Sequence, residues 1–349
     1  MNRWSLTFLV YLLLLMGCEN FFSKQPKRWL VTECLIYDFD GKIVRQYDGS
    51  QCVFLKDGSW VARDRKTREL FLRDAQYKEK WRIRRHFHHT LMQLADGDLL
   101  GLSSSVRKYK GKMTRFDVVV KINLEGKIIA TYDFFEKIDE LKAKLRPPIT
   151  DGFSMIWEND FYSGLHFEFS HANSAYEIPD NETAKNNPAF KKGNIIVHAG
   201  GLDNFFILDK NLKAILWAGR FYPGIGRTVA FNHDAQVLRN GNILLYVNQI
   251  KDREDVFSAL VEIDPRTLKT LWHYEEKPRM KFSSEVCGGV DVLHDGRLVY
   301  TDTTKDNKIK IINRDGSESK SFSVLDLGYK VLNVREAQLQ PFFEKNSGL

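Results

Sequence analysis

The sequence predicts an all-β fold, a six-bladed β-propeller closed by joining N-terminal outer strands to a C-terminal inner strand. Three observations predict it. First, a strand, a tight turn and a second apolar strand recur. The copies begin at Ser50, His89, His233 and Gly288, with a Leu five residues on and a Gly eight residues on (Leu55 and Gly58, Leu94 and Gly97, Leu238 and Gly241, Leu293 and Gly296). A fixed offset marks a repeat architecture, and Asn-Gly or Asp-Gly between apolar runs is a strong hairpin signal. Second, a unit of apolar strand, polar turn and apolar strand occurs six times, at 34–44, 70–81, 118–129, 205–217, 260–272 and 309–322. Third, few segments show helical periodicity. The 349 residues, 43% apolar, suffice for one large all-β domain.

Taken in order, an inner hairpin followed by an outer one makes a four-stranded sheet, and sheets repeating at this interval read as propeller blades. Inner hairpins begin near Ser50, His89, His171, His233 and Gly288. The third is interrupted between Ile178 and Gly193 by a polar loop, Pro179 to Lys192, which reads as exposed. The first outer hairpin has no inner partner before it. Val334 to Leu339 matches the His233 segment when Arg335 is set on His233. The C-terminus therefore supplies the inner strand of the last blade, which leaves no free edge. The propeller is expected over 29–343. Residues 134–165 fit no blade. Phe135 to Leu145 reads as a short helix stopped by Pro147-Pro148. The aromatic run from Gly152 to Leu165 (Phe153, Trp157, Phe161, Tyr162) reads as a packed connection or as a wall over the central pocket.

The N-terminus is a separate matter. Arg3 precedes an apolar run, Leu6 to Met16, too short to span a bilayer comfortably. It ends in Leu15-Met16-Gly17-Cys18, which resembles a bacterial lipobox. That implies a signal peptide at 1–17, cleavage before Cys18, lipidation of Cys18 and a tether at 18–28. An ordinary signal peptide or an anchor helix is the alternative. Glu19, rather than Asp, points to the outer membrane and so to a periplasmic domain. Residues 344–349 read as a tail. The net charge of +7 is spread along the chain, with no stripe for nucleic acid. Cys34, Cys52 and Cys287 remain. Cys34–Cys52 is a possible pair, while buried thiols at Cys52 and Cys287 are the plainer reading. Neither CxxC nor a metal-type Cys/His spacing occurs.

The first positions of the inner hairpins should meet at the axis: Ser50, His89, His171, His233, Gly288 and Arg335. A strand's period of two puts Asn173 on the face of His171, and His86 and His88 flank His89. Any single His here could simply bond a neighbouring strand. A His ring could also hold zinc or copper. No carboxylate pairs with these positions, and Arg335 would repel a cation, so no metal is assigned and an anion pocket fits better.

These residues resemble the bacterial arylsulfotransferases, periplasmic six-bladed propellers. The resemblance rests on His171-Ala-Asn-Ser, on Leu216-Trp217, on Phe231-Asn-His-Asp-Ala-Gln-Val-Leu-Arg-Asn-Gly-Asn-Ile-Leu244, and on Arg335-Glu-Ala-Gln338, and is fullest over 166–343. It implies transfer of a sulfuryl group from a phenolic sulfate ester to a phenol through a sulfohistidine, independent of PAPS and of any cofactor. His233 matches the nucleophile and His171 a second active-site histidine. His89 would act as acid, base or donor, and Arg335 would stabilise charge. Asn173, His198 and His88 would contact substrate. The family's Arg after His-x-Asn-Ser falls near Gly200 here, within His198-Ala199-Gly200-Gly201, so His198 or Arg335 would have to replace it. The family's larger N-terminal domain is missing. The alternatives are a non-catalytic envelope lipoprotein acting as a binding or assembly scaffold, and a sugar- or quinone-linked propeller enzyme. Nothing indicates an oligomeric state.

Overall fold

The computed structural model describes residues 27–145, 156–159, 162–223, 227–252, 255–285, 287–304, 307–324, 335–337, 339 and 342–343. The signal peptide, Cys18, most of the tether, Pro147-Pro148, Phe153, Phe161, Gln338 and the 344–349 tail lie outside these residues. The chain opens with β1 (Trp29–Thr32), β2 (Leu35–Tyr37) and β3 (Ile43–Gln46). Blade 1 is β4 (Ser50–Phe54), β5 (Trp60–Arg63), β6 (Leu70–Arg73) and β7 (Glu79–Ile83). Blade 2 is β8 (Phe87–Gln93), β9 (Leu99–Tyr109), β10 (Lys112–Ile122) and β11 (Ile128–Asp133). After α1 (Ile138–Lys144), β12 (Ile156–Asn159) and β13 (Tyr162–Glu168) join blade 2 beside β10. Blade 3 is β14 (Ala172–Glu177), β15 (Ile195–Ala199), β16 (Asn204–Leu208) and β17 (Ile215–Gly219). Blade 4 is β18 (Arg227–Val237), β19 (Ile243–Asp252), β20 (Asp255–Ile263) and β21 (Thr270–Tyr274). Blade 5 is β22 (Val290–Val292), β23 (Leu298–Asp302), β24 (Lys308–Ile312) and β25 (Glu318–Ser323). Blade 6 joins the two ends of the chain: β26 (Arg335–Ala337) pairs with β1 in the order β26-β1-β2-β3. The six-bladed propeller and its closure are as the sequence predicts.

The two middle strands of each blade are largely apolar runs rather than alternating ones because they are covered on both faces, while outermost strands such as β25 (Glu318–Ser323) are polar and exposed. Leu70 and Leu72 pack toward blade 2, while Phe71 between them packs toward blade 6. Six apolar clusters form among the described residues, one at each joint between neighbouring blades. The Pro179–Lys192 loop is exposed at Asp180, Glu182, Lys185, Asn186, Pro188, Lys191 and Lys192, as the sequence suggests, but it is anchored by buried residues. Phe190 is fully buried, with its ring centroid 5.2 Å from that of Trp217. An apolar ring in a polar stretch had a pocket to fill between blades 3 and 4. No helix among the described residues is long and apolar enough to cross a membrane.

The seam is reinforced. Register pairs Trp29 with Ala337 and Val31 with Arg335. Trp29 meets Phe343 at 4.8 Å between ring centroids, and Phe342 packs on Tyr47 and Phe54. Cys34, in the turn after β1, is disulfide-bonded to Cys52 in β4, so the pair forms in place of a buried thiol at Cys52. The bond crosses from blade 6 to blade 1. Replacing Cys52 by Ser should therefore cost about 2–4 kcal/mol of stability, as expected for opening a loop of this size. Urea denaturation compares the two proteins, and an unshifted midpoint would show that the bond does not hold the seam.

Candidate active site

The axial histidines reach the centre through breaks in strand regularity. In β8 the register slips between His88 and Leu91, and His89 has φ 51°. In β18 it slips between His233 and Ala235, and Asp234 has φ 51°. His171, just before β14, has φ 44°, and β14 itself slips between Ala172 and Ser174. A side chain in the left-handed region costs on the order of 1–2 kcal/mol, and bulges re-aim side chains beside functional sites. Three such departures side by side turn three imidazoles inward.

They converge. Ring centroids lie 5.6 Å apart for His89 and His171, 6.1 Å for His89 and His233, and 6.5 Å for His171 and His233. One ring nitrogen from each lies within 4.8 Å of the others. His233 is buried, and His89 and His171 are partly exposed.

The neighbours fix the tautomers. His233 Nδ1 bonds to Asn248 Oδ1, an acceptor, so Nδ1 carries the proton and Nε2 the lone pair. His171 Nδ1 lies 2.8 Å from Glu168 Oε2, with the same result. His88 Nε2 lies 3.2 Å from the Ser103 carbonyl and 3.2 Å from the Asp117 carboxylate, both acceptors, so its lone pair is on Nδ1. His89 Nδ1, 2.9 Å from that nitrogen, must donate to it. All three axial rings thus hold their lone pairs on Nε2. Burial lowers the pKa of His233 to about 4 and of His171 to about 4, with Arg115 adding to the fall at His171. It lowers that of His89 well below the usual value. The triad is neutral at pH 7 and offers a nucleophile, a base or a set of ligands.

A second layer holds the first. Arg115, on β10, is ion-paired with Glu168, which holds His171. Burial alone would raise the pKa of Asp117, but His88, Arg115 and the Ala172 N–H outweigh it and keep the group a carboxylate. Asn173 donates to the Asn232 carbonyl at 2.7 Å, and its Oδ1 accepts from His198 Nδ1 at 2.7 Å. His198 is fully buried, and its Nε2 has no hydrogen-bond partner among the described residues.

The sequence-predicted residues fall into two groups. His89, His171 and His233 come together at the axis. His88 supports His89, and Asn173 and His198 tie blade 3 to blade 4. Arg335 departs from the expected ring. Its guanidinium donates to Asp234 at 2.8 Å and to the Val290 carbonyl at 2.6 Å, and lies over the Tyr176 ring. Its side chain is committed to clamping blades 3, 4, 5 and 6. Ser50 bonds to Arg63, and Gly288 lies so close to Tyr246 that a Cβ there would fall 2.3 Å from its ring. The position near Gly200 is crowded, since a Cβ there would fall 2.9 Å from Asn173 Nδ2 and displace that side chain from its bond to the Asn232 carbonyl. Arg115, Glu168, Asp117 and Asn248 were missed. Glu168 stands three residues before His171, a visible signal. Arg115 arrives on a hairpin that overruns its blade, which the repeat could not show.

The family model of the arylsulfotransferases (ASST) matches residues 28–184. Those residues include His89, His171, Arg115 and Glu168 but not His233, whereas the motifs read from the sequence are fullest in the other half. Over this stretch the chain is similar to that family. No curated protein matches the chain. Among solved structures, a protein of unknown function from Bacteroides caccae is 12% identical, with a TM-score of 0.54 over 89% of this chain and 99% of that one. Virginiamycin B lyase from Staphylococcus aureus is 11% identical, with a TM-score of 0.44 over 88% and 77%. BamB from Moraxella catarrhalis is 12% identical, with a TM-score of 0.35 over 84% and 69%. The first likeness is one of fold alone, and the other two carry no argument about this site.

The neutral histidines make stability depend on pH. The unfolded chain protonates His near pH 6.5. In the fold, burial holds His171 and His233 at about 4 and His198 at about 3. Between these limits the unfolded state binds more protons, so stability falls as pH falls, by about 1.4 kcal/mol per pH unit for each such histidine. His198→Gln should flatten that slope by one histidine's share between pH 6 and pH 4.5. Urea titrations at several pH values measure it, and parallel curves for the two proteins would contradict the assignment.

Proposed function

We propose that the protein transfers a sulfuryl group from a phenolic sulfate ester to a phenol by way of a sulfohistidine on His233. One observation carries the reading: His233, its lone pair set on Nε2 by Asn248, comes within 4.8 Å of two further imidazoles, nitrogen to nitrogen, in a chain matching the arylsulfotransferase family over 28–184. In the first half-reaction the Nε2 lone pair attacks sulfur, the S–O bond to the aryl group breaks, and the phenolate leaves. A covalent intermediate divides one hard displacement into two easier ones. In the second, an acceptor phenol gives its proton to a triad imidazole, His171 or His89, and its oxygen attacks sulfur. The N–S bond breaks and His233 regains its lone pair. Arg115 takes the charge-stabilising role that Arg335 cannot fill, through its proximity to His171 and Glu168. No cofactor enters.

We also propose export and lipid anchoring at Cys18, on the periplasmic side of an outer membrane. The lipobox-like sequence supports it, and so does the Cys34–Cys52 bond, since disulfides persist in oxidising compartments. Palmitate labelling of the full chain, absent from Cys18→Ala, is the expected result. Equal labelling of both proteins would remove the anchor.

A second reading, a non-catalytic binding or scaffold propeller, is favoured by the commitment of Arg335 to Asp234. An assay with 4-nitrophenyl sulfate and phenol separates the two. Nitrophenol release should require the phenol and vanish in His233→Ala, and Arg115→Met should lower kcat/KM by about 10²–10³-fold. A folded wild-type protein with no turnover, or His233→Ala with full turnover, would favour the scaffold.

A further inference from the structure

The same three imidazoles have a second competence that does not depend on sulfuryl transfer. A histidine that binds a metal through one ring nitrogen almost always donates the other N–H to a carboxylate, a carbonyl or another acceptor, which fixes the tautomer and orients the ring. Each axial histidine meets this condition through a different partner. His171 Nδ1–H faces Glu168, His233 Nδ1–H faces the Asn248 carbonyl, and His89 Nδ1–H faces His88, which is backed by Asp117. Three Nε2 lone pairs are thereby provided by three separate blades.

The two grounds for excluding a cation disappear in the structure. Arg335 is paired with Asp234, so its charge is offset. A carboxylate does support the ring, since Glu168 bonds to His171. Arg115 lies nearby and opposes a cation, but it is itself ion-paired with Glu168, and Asp117 adds a second carboxylate behind the rings. His89 and His171 are partly exposed, so two of the three rings border solvent while His233 is buried.

We infer that His89, His171 and His233 form a divalent transition-metal site, taking Zn2+ through their Nε2 atoms with an oxygen of water or of a ligand in the fourth position. Imidazole donors suit zinc and copper, and three protein ligands with one open position is the arrangement of a reactive zinc centre. Zn–N bonds of about 2.0–2.1 Å in a tetrahedron require nitrogens about 3.3 Å apart. The present separations reach at most 4.8 Å, so the rings must draw together on binding. A metal on His233 Nε2 takes up the lone pair that sulfuryl transfer uses, so Zn2+ should inhibit that reaction and a chelator should restore it.

Calorimetric titration of ZnCl2 into the chelator-treated full chain tests the site. One equivalent should bind the wild type. His89→Ala and His171→Ala should each weaken binding by at least about 100-fold, and Glu168→Gln, which keeps all three ligands, by about 10–100-fold. Co2+ should give the intense visible absorption of a four-coordinate centre. Absence of saturable binding overturns the site, as does wild-type affinity in either alanine variant or an octahedral Co2+ spectrum. Should the alanine variants fail to fold, unchanged affinity in Glu168→Gln overturns it. A protein that binds Zn2+ in this way but shows no turnover when metal-free loses only the sulfotransferase reading. One that turns over without binding Zn2+ loses only the metal site.

Discussion

The inner edge of each blade has no further strand to pair with, yet it lies at the centre of the molecule. Unpaired backbone donors there would be costly. Neighbouring blades resolve this with side-chain acceptors. Ala175 N–H donates to Thr90, Ala235 to Ser174, Val290 to Asp234 and Glu336 to Asp291, while Gln51 donates to Glu33 across the seam. Each bond requires two blades to stand at one spacing. Their sum fixes how near the axis the inner strands come, and so whether three histidines can meet.

Arg335 belongs to this constraint. It stands on the strand that closes the ring, and its guanidinium gathers Asp234, Val290 and Tyr176 from three other blades. A partly buried guanidinium is held by a carboxylate and further acceptors, and the blade joints supply them. Asp234 also receives the Val290 N–H, so one carboxylate serves ring closure twice. The residue following His233 is thus engaged in architecture, while His233 itself faces the axis.

The site has a consistent electrostatic logic. Burial keeps the imidazoles neutral, and a carboxylate, an amide carbonyl and a fourth imidazole set their tautomers. Lone pairs rather than protons therefore face the centre. Such a centre attracts an electrophile, whether the sulfur of an ester or a metal ion, and Arg115 beside Glu168 is the charged pair within reach. The left-handed backbone at His89 and His171 is part of the same design, since strain of this kind persists only where the surrounding structure imposes it.

Much of this was legible in the sequence. The offsets from Ser50, His89, His233 and Gly288 to their turns gave the blades, and Arg335 aligned on His233 gave the closure. His89, His171 and His233 were legible as axial residues because repeat position maps onto distance from the axis. The remainder depends on contacts between segments far apart in the chain. Arg115 and Glu168 meet because β10 and β13 run in parallel past the end of blade 2, and no local pattern encodes that pairing. The crowding near Gly200 follows from Asn173, twenty-seven residues away, whose side chain lies against that position. The direction of each axial ring follows from bulges that break the strand period from which side-chain faces are read. Periodicity determined by itself which residues share a layer of the propeller. Only the packing of six sheets decided which of them touch, because closeness across blades is set by side-chain volume and hydrogen-bond satisfaction rather than by spacing along the chain.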